Sequence, residues 1–251
     1  MSKVRFVTGS SQGLGLAIVE TALKSGASVI ATARKPEQLQ HLVEKYDTKV
    51  FPVALDVANN DDVLKAVKAG HEKLGRIDVV VNNAGYANTS SIEDAVIPIL
   101  RQQGSGHILQ ISSVGGRLGS PGLAAYQSAK YAVGGFSGIL GQEVAPFGVK
   151  VTVLEPGRMA TDWAGSSMKI PPVSEPYQQT VGAFAEFLRS QSDAGPSKPV
   201  KVADLILKLI NIETPPAKLL VGTDAYQYAT AAGRALLASD EKWEELSKSA
   251  V

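Results

Sequence analysis

The chain has 251 residues, 44% of them hydrophobic, and a formal net charge of +1. This length and composition are sufficient for the core of one α/β domain, which we predict to span residues 1–251. A charge this close to zero gives no electrostatic reason to expect a nucleic acid or a membrane as a partner. The chain has no cysteine, which excludes disulfides and thiolate chemistry.

Targeting signals and metal-ligand patterns are not found in the sequence. The first predicted strand begins three residues from Met1, which leaves no room for a signal peptide, and no apolar run is long enough to span a membrane. Together with the lack of cysteine, this predicts a cytoplasmic protein. The three histidines, His41, His71 and His107, lack metal-ligand spacing, so we expect solvated histidines and no metal site.

Strands and helices alternate along the chain. Strands are predicted over residues 3–7, 28–33, 49–54, 78–82, 107–111 and 150–154, with a further candidate at 219–221. Helices are predicted to end at Ser25, to begin at Pro36, and to span residues 60–74 and 126–145. This alternation predicts a doubly wound parallel sheet with helices on both faces, the Rossmann-like α/β class.

A glycine cluster follows the first predicted strand, where Gly9, Gly13 and Gly15 have the spacing GxxxGxG. Strand, glycine turn and helix form the context that a dinucleotide-binding motif requires. Gly13 would let the backbone approach a pyrophosphate, and the amino end of the helix offers free N–H groups to it. A glycine-rich turn without a cofactor is the alternative for this motif alone.

Tyr126 and Lys130 are four residues apart, and Ser113 lies thirteen residues before Tyr126, after a predicted strand. Positions i and i+4 share one face of a helix, so the phenol and the ammonium can meet at one reaction centre. Making a tyrosine a usable acid and base near neutral pH requires a pKa shift of about 3 units. A close lysine and a cationic cofactor ring would supply this shift. A partly buried tyrosine beside a surface lysine is the alternative.

These motifs occur in the order found in short-chain dehydrogenases/reductases, which the chain resembles over nearly its whole length. The resemblance implies that Ser113, Tyr126 and Lys130 are catalytic. It also implies a nicotinamide cofactor, bound by Gly9, Ser11, Gly13, Leu14, Gly15, Asp56, Val57, Asn83, Ala84, Gly85, Tyr126, Lys130, Pro156 and Gly157. The carboxy-terminal stretch that contains Lys242 and Trp243 resembles the bacterial and fungal branch that is similar to 17β-hydroxysteroid dehydrogenases.

The residues after the second predicted strand bear on the choice of cofactor. An NAD-selective site places a carboxylate there to bind the ribose 2′-hydroxyl, whereas this chain has Ala33 followed by Arg34. A guanidinium can bind a 2′-phosphate in fork geometry. We therefore predict NADP(H) rather than NAD(H), with Arg34 among the cofactor-binding residues. A solvated arginine in a permissive site is the alternative.

One segment departs from the family pattern. Only residues 86–106 separate the Asn-Asn-Ala-Gly motif from the next strand, so roughly twenty or more residues are absent from this crossover, with Asp94/Ala95 as the predicted junction. By the resemblance, the absent part would hold the catalytic Asn of the family and most of an interface helix. Residues 91–103 could supply about 18 Å of helix, although Pro98 disfavours it. A truncated or engineered chain, residues missing from the printed sequence, and a naturally short variant all remain open.

The motifs together predict an NADP-dependent short-chain alcohol dehydrogenase or carbonyl reductase. It would interconvert a secondary alcohol and its ketone or aldehyde by direct hydride transfer, with a tyrosine as general acid and base. An NADP-binding protein with little turnover, lacking the crossover Asn, is the first alternative. A sugar-nucleotide epimerase or dehydratase that uses the same Tyr and Lys is the second.

The expected substrate is a small, uncharged or weakly polar carbonyl compound or alcohol. Leu118, Met159, Trp163 and Met168 offer apolar surface near the catalytic turn, and Arg158 is the nearby cation. The segment 158–199, rich in Pro, Gly and Ser and interspersed with aromatics, is predicted to be a substrate lid. The resemblance further implies a homodimer or homotetramer.

Overall fold

The computed structural model describes residues 3–84, 90–161, 170–190 and 195–250. Its seven strands form one sheet in the order β3-β2-β1-β4-β5-β6-β7, and every neighbouring pair is parallel. The strands are β1 Val4–Val7, β2 Ser28–Ala33, β3 Val50–Ala54, β4 Val79–Asn82, β5 Gly106–Ile111, β6 Val149–Pro156 and β7 Lys218–Val221. The strand order reverses between β1 and β4, which is where open α/β sheets form their ligand crevice.

The described helices cover both faces of the sheet. They are α1 Gly13–Lys24, α2 Gln40–Tyr46, α3 Asn60–Leu74, α4 Ser90–Gln103, α5 Ala124–Val144, α6 Ala183–Ser190, α7 Pro199–Leu209, α8 Thr223–Lys242 and α9 Glu244–Lys248. Neighbouring strand residues alternate between the two sides: Val7 belongs to the core beneath α1 and α7, and Phe6 to the core beneath α3 to α5. The predicted doubly wound parallel sheet is confirmed.

Helix α3 shows why some predicted boundaries agree with the structure to the residue. The side chain of Asn59 caps its amino end by accepting hydrogen bonds from the N–H groups of Asp61 and Asp62. Gly75 ends it in the left-handed conformation, with φ of +76°. Both signals are local, so they can be read from the sequence.

The short crossover forms a complete helix, α4, between β4 and β5. Val96 and Leu100 are buried against the core beneath α3, while Pro98 lies on the exposed side. A proline removes one hydrogen bond from the helix interior, and the burial of its neighbours offsets that cost. The fourteen residues of α4 correspond to about 21 Å of helix, which is enough to connect two adjacent parallel strands.

The expectation of solvated histidines is wrong for His107. This residue lies in β5 between β4 and β6, is only 5% exposed, and its Nε2 is 3.0 Å from Thr152 Oγ1. Burial lowers the pKa of His107 to about 4, with a smaller contribution from Lys150. His41 is exposed and His71 is partly exposed.

Neither a membrane-spanning helix nor a cluster of metal ligands is found among the described residues. No helix in this part of the chain is both long enough and apolar enough to cross a membrane. No group of three or more His, Cys, Asp or Glu side chains among these residues could hold a metal ion.

Candidate active site

A cleft of about 1820 Å³ runs along the carboxyl ends of the strands. Its lining residues follow all seven strands, from Gly9 after β1 to Asp224 after β7. Ligands of open α/β sheets bind at this edge. Every predicted cofactor-binding residue lines the cleft except Lys130, described below, and Gly85, which lies outside the described residues.

The glycine loop at the β1 end needs its glycines for two different reasons. Gly9 and Gly13 have φ of +66° and +57°, a region that glycine adopts without strain. Gly15 instead has no room for a side chain, because an added Cβ would lie 2.0 Å from the carbonyl oxygen of Gly9. The first turn of α1 carries no acidic residue, and its N-cap residue makes no side-chain cap. The amino end of α1 therefore suits a pyrophosphate.

Asn83 fastens this loop to the end of β4. Its Nδ2 donates to the carbonyl oxygens of Thr8 and Gly9 at 2.9 and 3.1 Å. Thr8 Oγ1 in turn accepts hydrogen bonds from the N–H groups of Asn83 and Ala84, both at 2.9 Å. The Asn83 amide therefore serves the shape of the loop, and the residue also borders the cleft.

The next two strands supply the residues expected at the adenosine end. Arg34 is exposed at the end of β2, directly after Ala33, which is buried. Asp56 follows β3, and its Oδ1 accepts a hydrogen bond from the N–H of Ala58 at 3.0 Å, which orients the carboxylate. Gln38 also lines the cleft here, although the sequence reasoning did not single it out.

Ser113 and Tyr126 meet in the middle of the cleft. Ser113 ends the loop after β5 and its Oγ accepts a hydrogen bond from the N–H of Gly115 at 3.1 Å. A side-chain hydrogen bond joins Ser113 to Tyr126. Burial raises the pKa of Tyr126, whereas the hydrogen bond with Ser113 lowers it, as expected for a hydroxyl that donates to the phenol oxygen. The same hydroxyl can donate to a substrate oxygen.

Lys130 lies behind this pair. Its Nζ is 5.8 Å from the centre of the Tyr126 ring and donates to the carbonyl oxygen of Ile111 at 3.1 Å. Among the described residues that line the cleft, Lys130 does not appear. The structure therefore brings Ser113 and Tyr126 together at the cleft and places Lys130 against β5.

The pKa of Tyr126 is raised, chiefly by burial, and the hydrogen bond with Ser113 acts in the opposite direction. Burial also lowers the pKa of Lys130. Both directions favour the neutral side chains, whereas the sequence led us to expect that the lysine would lower the pKa of the phenol. The physical reason is that burial withdraws water from both side chains, which disfavours the charged form of each.

The turn after β6 is contacted by Asp224, which comes from a distant part of the chain. An added Cβ on Gly157 would lie 2.3 Å from Asp224 Oδ1, so the carboxylate packs directly on this glycine. Asp224 is 7% exposed, and its Oδ2 accepts a hydrogen bond from the N–H of Arg158 at 2.8 Å. Sequence reasoning missed Asp224, although it follows the candidate strand 219–221 at the edge where site residues collect.

Sequence reasoning also missed an ion pair between Arg117 and Glu155. The guanidinium of Arg117, in the loop after Ser113, binds the carboxylate of Glu155 with Nε–Oε2 and Nη2–Oε2 distances of 2.7 and 2.6 Å. Glu155 is 1% exposed and directly precedes Pro156. The pair therefore ties the Ser113 loop to the turn after β6.

Several residues that line the cleft form an apolar wall. Leu118 and Met159 line the cleft as expected, together with Phe184 and Phe187 from α6 and Tyr228 from α8. The predicted wall residues Trp163 and Met168 lie outside the described residues.

Besides Arg34, the cation that lines the cleft, within the described residues, is Arg158. Its guanidinium lies 5.9 Å from the centre of the Phe187 ring, and its Nε is 3.8 Å from Asp224 Oδ2. Its charge is therefore balanced by a buried carboxylate from α8.

A protein-family model described as short chain dehydrogenase matches residues 3–97 and 90–170. The chain belongs to this family. The match breaks into two segments that meet at residues 90–97, the stretch that contains the predicted junction Asp94/Ala95. This break supports the prediction that family residues are absent from the crossover.

The chain is 62% identical to Oxidoreductase BOA17 of Botryotinia fuckeliana over 270 residues, which cover 98% of each chain. Because that alignment is longer than the 251-residue chain, the relative has residues that this chain lacks. A 3-ketodihydrosphingosine reductase of Bacteroides thetaiotaomicron is 29% identical over 88% of both chains. Relatives of this kind identify the protein as an oxidoreductase of the family.

Solved structures confirm the fold. A short-chain dehydrogenase from Streptomyces avermitilis superimposes with a TM-score of 0.90 at 32% identity, and the match covers 99% of each chain. A short-chain dehydrogenase from Burkholderia cenocepacia, in complex with NADP, has a TM-score of 0.74 at 22% identity, covering 96% of this chain and 97% of that one. Neither protein is named for the 17β-hydroxysteroid dehydrogenase branch, and that sub-assignment stays a prediction.

Proposed function

We propose that this protein is an NADP-dependent oxidoreductase that interconverts a secondary alcohol and its ketone or aldehyde. The observation that carries the proposal is the hydrogen-bonded pair of Ser113 and Tyr126, which faces the same cleft as the glycine loop. A hydroxyl donor and a phenol beside a dinucleotide cradle are the groups that a carbonyl needs in order to accept a hydride and a proton.

The residues of the cleft fit a dinucleotide. Gly13, where an added Cβ would meet no atom within 4 Å, leaves backbone uncovered at the amino end of α1, and Gly157 keeps the turn after β6 free of a side chain. Glycine loop residues would hold the pyrophosphate, Asp56 the adenosine, and Pro156–Gly157 the nicotinamide side. When bound, the cofactor supplies or accepts the hydride.

The protein's own groups handle the oxygen and the proton. In the reduction direction, Ser113 Oγ donates a hydrogen bond to the substrate carbonyl oxygen and fixes its position. Tyr126 holds a proton on Oη, which its raised pKa favours at neutral pH, and delivers it to the same oxygen. Lys130 acts from behind the phenol, where its charge stabilises the phenolate that remains.

The preference for NADP(H) over NAD(H) is supported by the end of β2. Ala33 offers no carboxylate to repel a 2′-phosphate, and the exposed Arg34 offers a guanidinium to bind one. Together with the first residues of the glycine loop, including Ser11, this end of the cleft is suited to an additional phosphate.

A panel of aliphatic ketones and aldehydes with NADPH tests the proposal. We expect NADPH to bind with quenching or enhancement of its fluorescence, and to be consumed in step with alcohol formation. NADPH binding without turnover of any substrate would instead support the rival function, an NADP-binding protein. The rival is favoured by one observation, the break of the family match at the crossover, where the resemblance places the catalytic Asn of the family.

The assembly is proposed from the surface of α5. Phe136 and Ile139 are 39% and 60% exposed, and an added Cβ on Gly135 or Gly138 would meet no atom within 4 Å. An exposed apolar face with small residues allows a second helix to approach closely. We propose a homodimer or homotetramer of a single domain, with residues 158–199 as its substrate lid.

A further inference from the structure

A smaller groove of about 310 Å³ lies beside the main cleft. Its lining, among the described residues, contains no charged side chain and is predominantly apolar, with Pro121, Ile170, Val173, Val181 and Ala185 as typical members. Such a surface favours hydrocarbon over a charged or strongly hydrated group.

The groove and the cleft share a wall. Leu123, Phe184 and Leu188 line both spaces. Leu123 is the residue directly before α5, three positions before Tyr126, so the shared wall begins within one helical turn of the reacting phenol. The three side chains that border both the cleft and the groove are therefore all apolar.

The part of the cleft that Arg158 lines is less suited to hydrocarbon. Arg158 is held there by Asp224 and the Phe187 ring. An alkyl chain placed there would have to cover a guanidinium and a carboxylate, which costs desolvation energy. The groove beyond Leu123 carries no such cost.

We propose that this groove binds the alkyl chain of the substrate, and that the preferred substrates are carbonyl compounds or alcohols with an extended, uncharged hydrocarbon chain. The inference rests on the proposed function, because it places the carbonyl group at Ser113 and Tyr126. It goes further by assigning Leu123, Phe184 and Leu188 as the wall along which the chain passes.

A series of methyl ketones from butanone to decanone tests the assignment with the full chain and NADPH. We expect kcat/KM to rise by about twofold to fourfold per methylene over the part of the series that reaches the groove. Ala185→Trp should fill the groove, which removes the gain for the long ketones and leaves butanone unchanged. Ala183→Trp is the matched control, because Ala183 lies on the same helix, is exposed, and lines neither space.

Val173→Asp is a second variant, since it places a charge in the groove without filling it. It should also lower kcat/KM for decanone and not for butanone. A flat series in the wild-type protein, or an equal loss for all ketones in both Ala185→Trp and Ala183→Trp, would overturn the proposal. A flat series together with a dimer that dissociates in Ala185→Trp would assign the groove to a second copy of the chain.

Failure of the proposed function has a different signature. In that case NADPH binds and no ketone is reduced. The assignment of the groove to an alkyl chain is then tested by calorimetry, which measures the binding of decanone to the NADPH complex. Binding that is lost in Ala185→Trp and kept in Ala183→Trp supports the groove, and no binding to the wild-type protein contradicts it.

Discussion

The two halves of the cleft are built in different ways. In the half formed by β1 to β4, the backbone of the glycine loop is held by hydrogen bonds between Thr8 and Asn83, two uncharged residues 75 positions apart. In the half formed by β5 to β7, it depends on two carboxylates, Glu155 and Asp224, that reach across the fold to Arg117 and the Arg158 backbone. The first half is therefore held by hydrogen bonds between uncharged groups, and the second by charged side chains.

Removing the phenol at the boundary between the halves should have the largest effect. Tyr126→Phe keeps the ring packing and removes the proton donor, so we expect kcat to fall by about 10²–10⁴-fold. NADPH binding, measured by fluorescence titration, should be nearly unchanged, because the glycine loop is untouched. A loss of kcat under about fivefold would argue against Tyr126 as the proton donor.

The glycine loop can be tested by a matched pair of substitutions. Gly15→Ala places a Cβ 2.0 Å from the Gly9 carbonyl oxygen, so the loop must shift. We expect a loss of about 3 kcal/mol in the free energy of unfolding, together with much weaker NADPH binding. An added Cβ at position 13 would meet no atom within 4 Å, and the only strain comes from the φ of +57°. Gly13→Ala should therefore lower the free energy of unfolding by about 1–2 kcal/mol.

Urea denaturation and NADPH titration of both variants provide the measurement. If Gly13→Ala proved as damaging as Gly15→Ala, then conformation rather than space would control this half of the cleft.

The second half calls for a double-mutant cycle. Gly157→Ala should be strongly destabilising in the wild-type protein, since its Cβ would lie 2.3 Å from Asp224 Oδ1. Asp224→Ala alone leaves the Arg158 N–H without its acceptor and should cost about 1–3 kcal/mol. In the double variant the steric conflict disappears, so the two costs should not add.

Additive costs in the cycle would show that Asp224 is not what restricts position 157. Asp224→Asn is a useful control, because it keeps an oxygen that can accept from the Arg158 N–H and should retain most of the stability.

Separation along the chain explains what the sequence could and could not reveal. Strand, glycine turn and helix are neighbours in the chain, so the glycine loop and the doubly wound sheet could be predicted from spacing, whereas Asp56 and Asn83 were expected only from the family resemblance. Asp224 lies 66 residues from Arg158, and Arg117 lies 38 residues from Glu155. No local pattern links such pairs, because only the assembled sheet brings them together.

Cofactor selectivity offers a smaller effect in the first half. Arg34→Asp should reverse the charge at the end of β2, repel a 2′-phosphate, and offer a carboxylate to a ribose 2′-hydroxyl. We expect the ratio of kcat/KM for NADPH to that for NADH to fall by at least tenfold. Arg34→Gln is the neutral control and should give an intermediate ratio. A clear preference of the wild-type protein for NADH would contradict the assignment of Arg34.

The smallest predicted effect concerns His107, beneath the second half of the cleft. Thr152 Oγ1 donates its proton to the carbonyl oxygen of Pro216 at 2.9 Å. In the hydrogen bond between His107 and Thr152, Nε2 is therefore the protonated donor and Thr152 Oγ1 the acceptor. A second proton on the ring would have to be buried in β5. This is why the pKa of His107 falls to about 4 in the folded protein.

The unfolded chain binds that proton near its ordinary pKa of about 6.5, so the stability contributed by neutral His107 is fully present above this pH. It is lost progressively as the pH falls from there toward 4. At pH 5.5 we expect a loss of about 1 kcal/mol in the free energy of unfolding, measured by urea denaturation. His107→Gln cannot take up the proton, so its stability should change less over the same range. An equal pH dependence in the variant would show that other groups, and not this buried imidazole, govern the acid sensitivity of the second half.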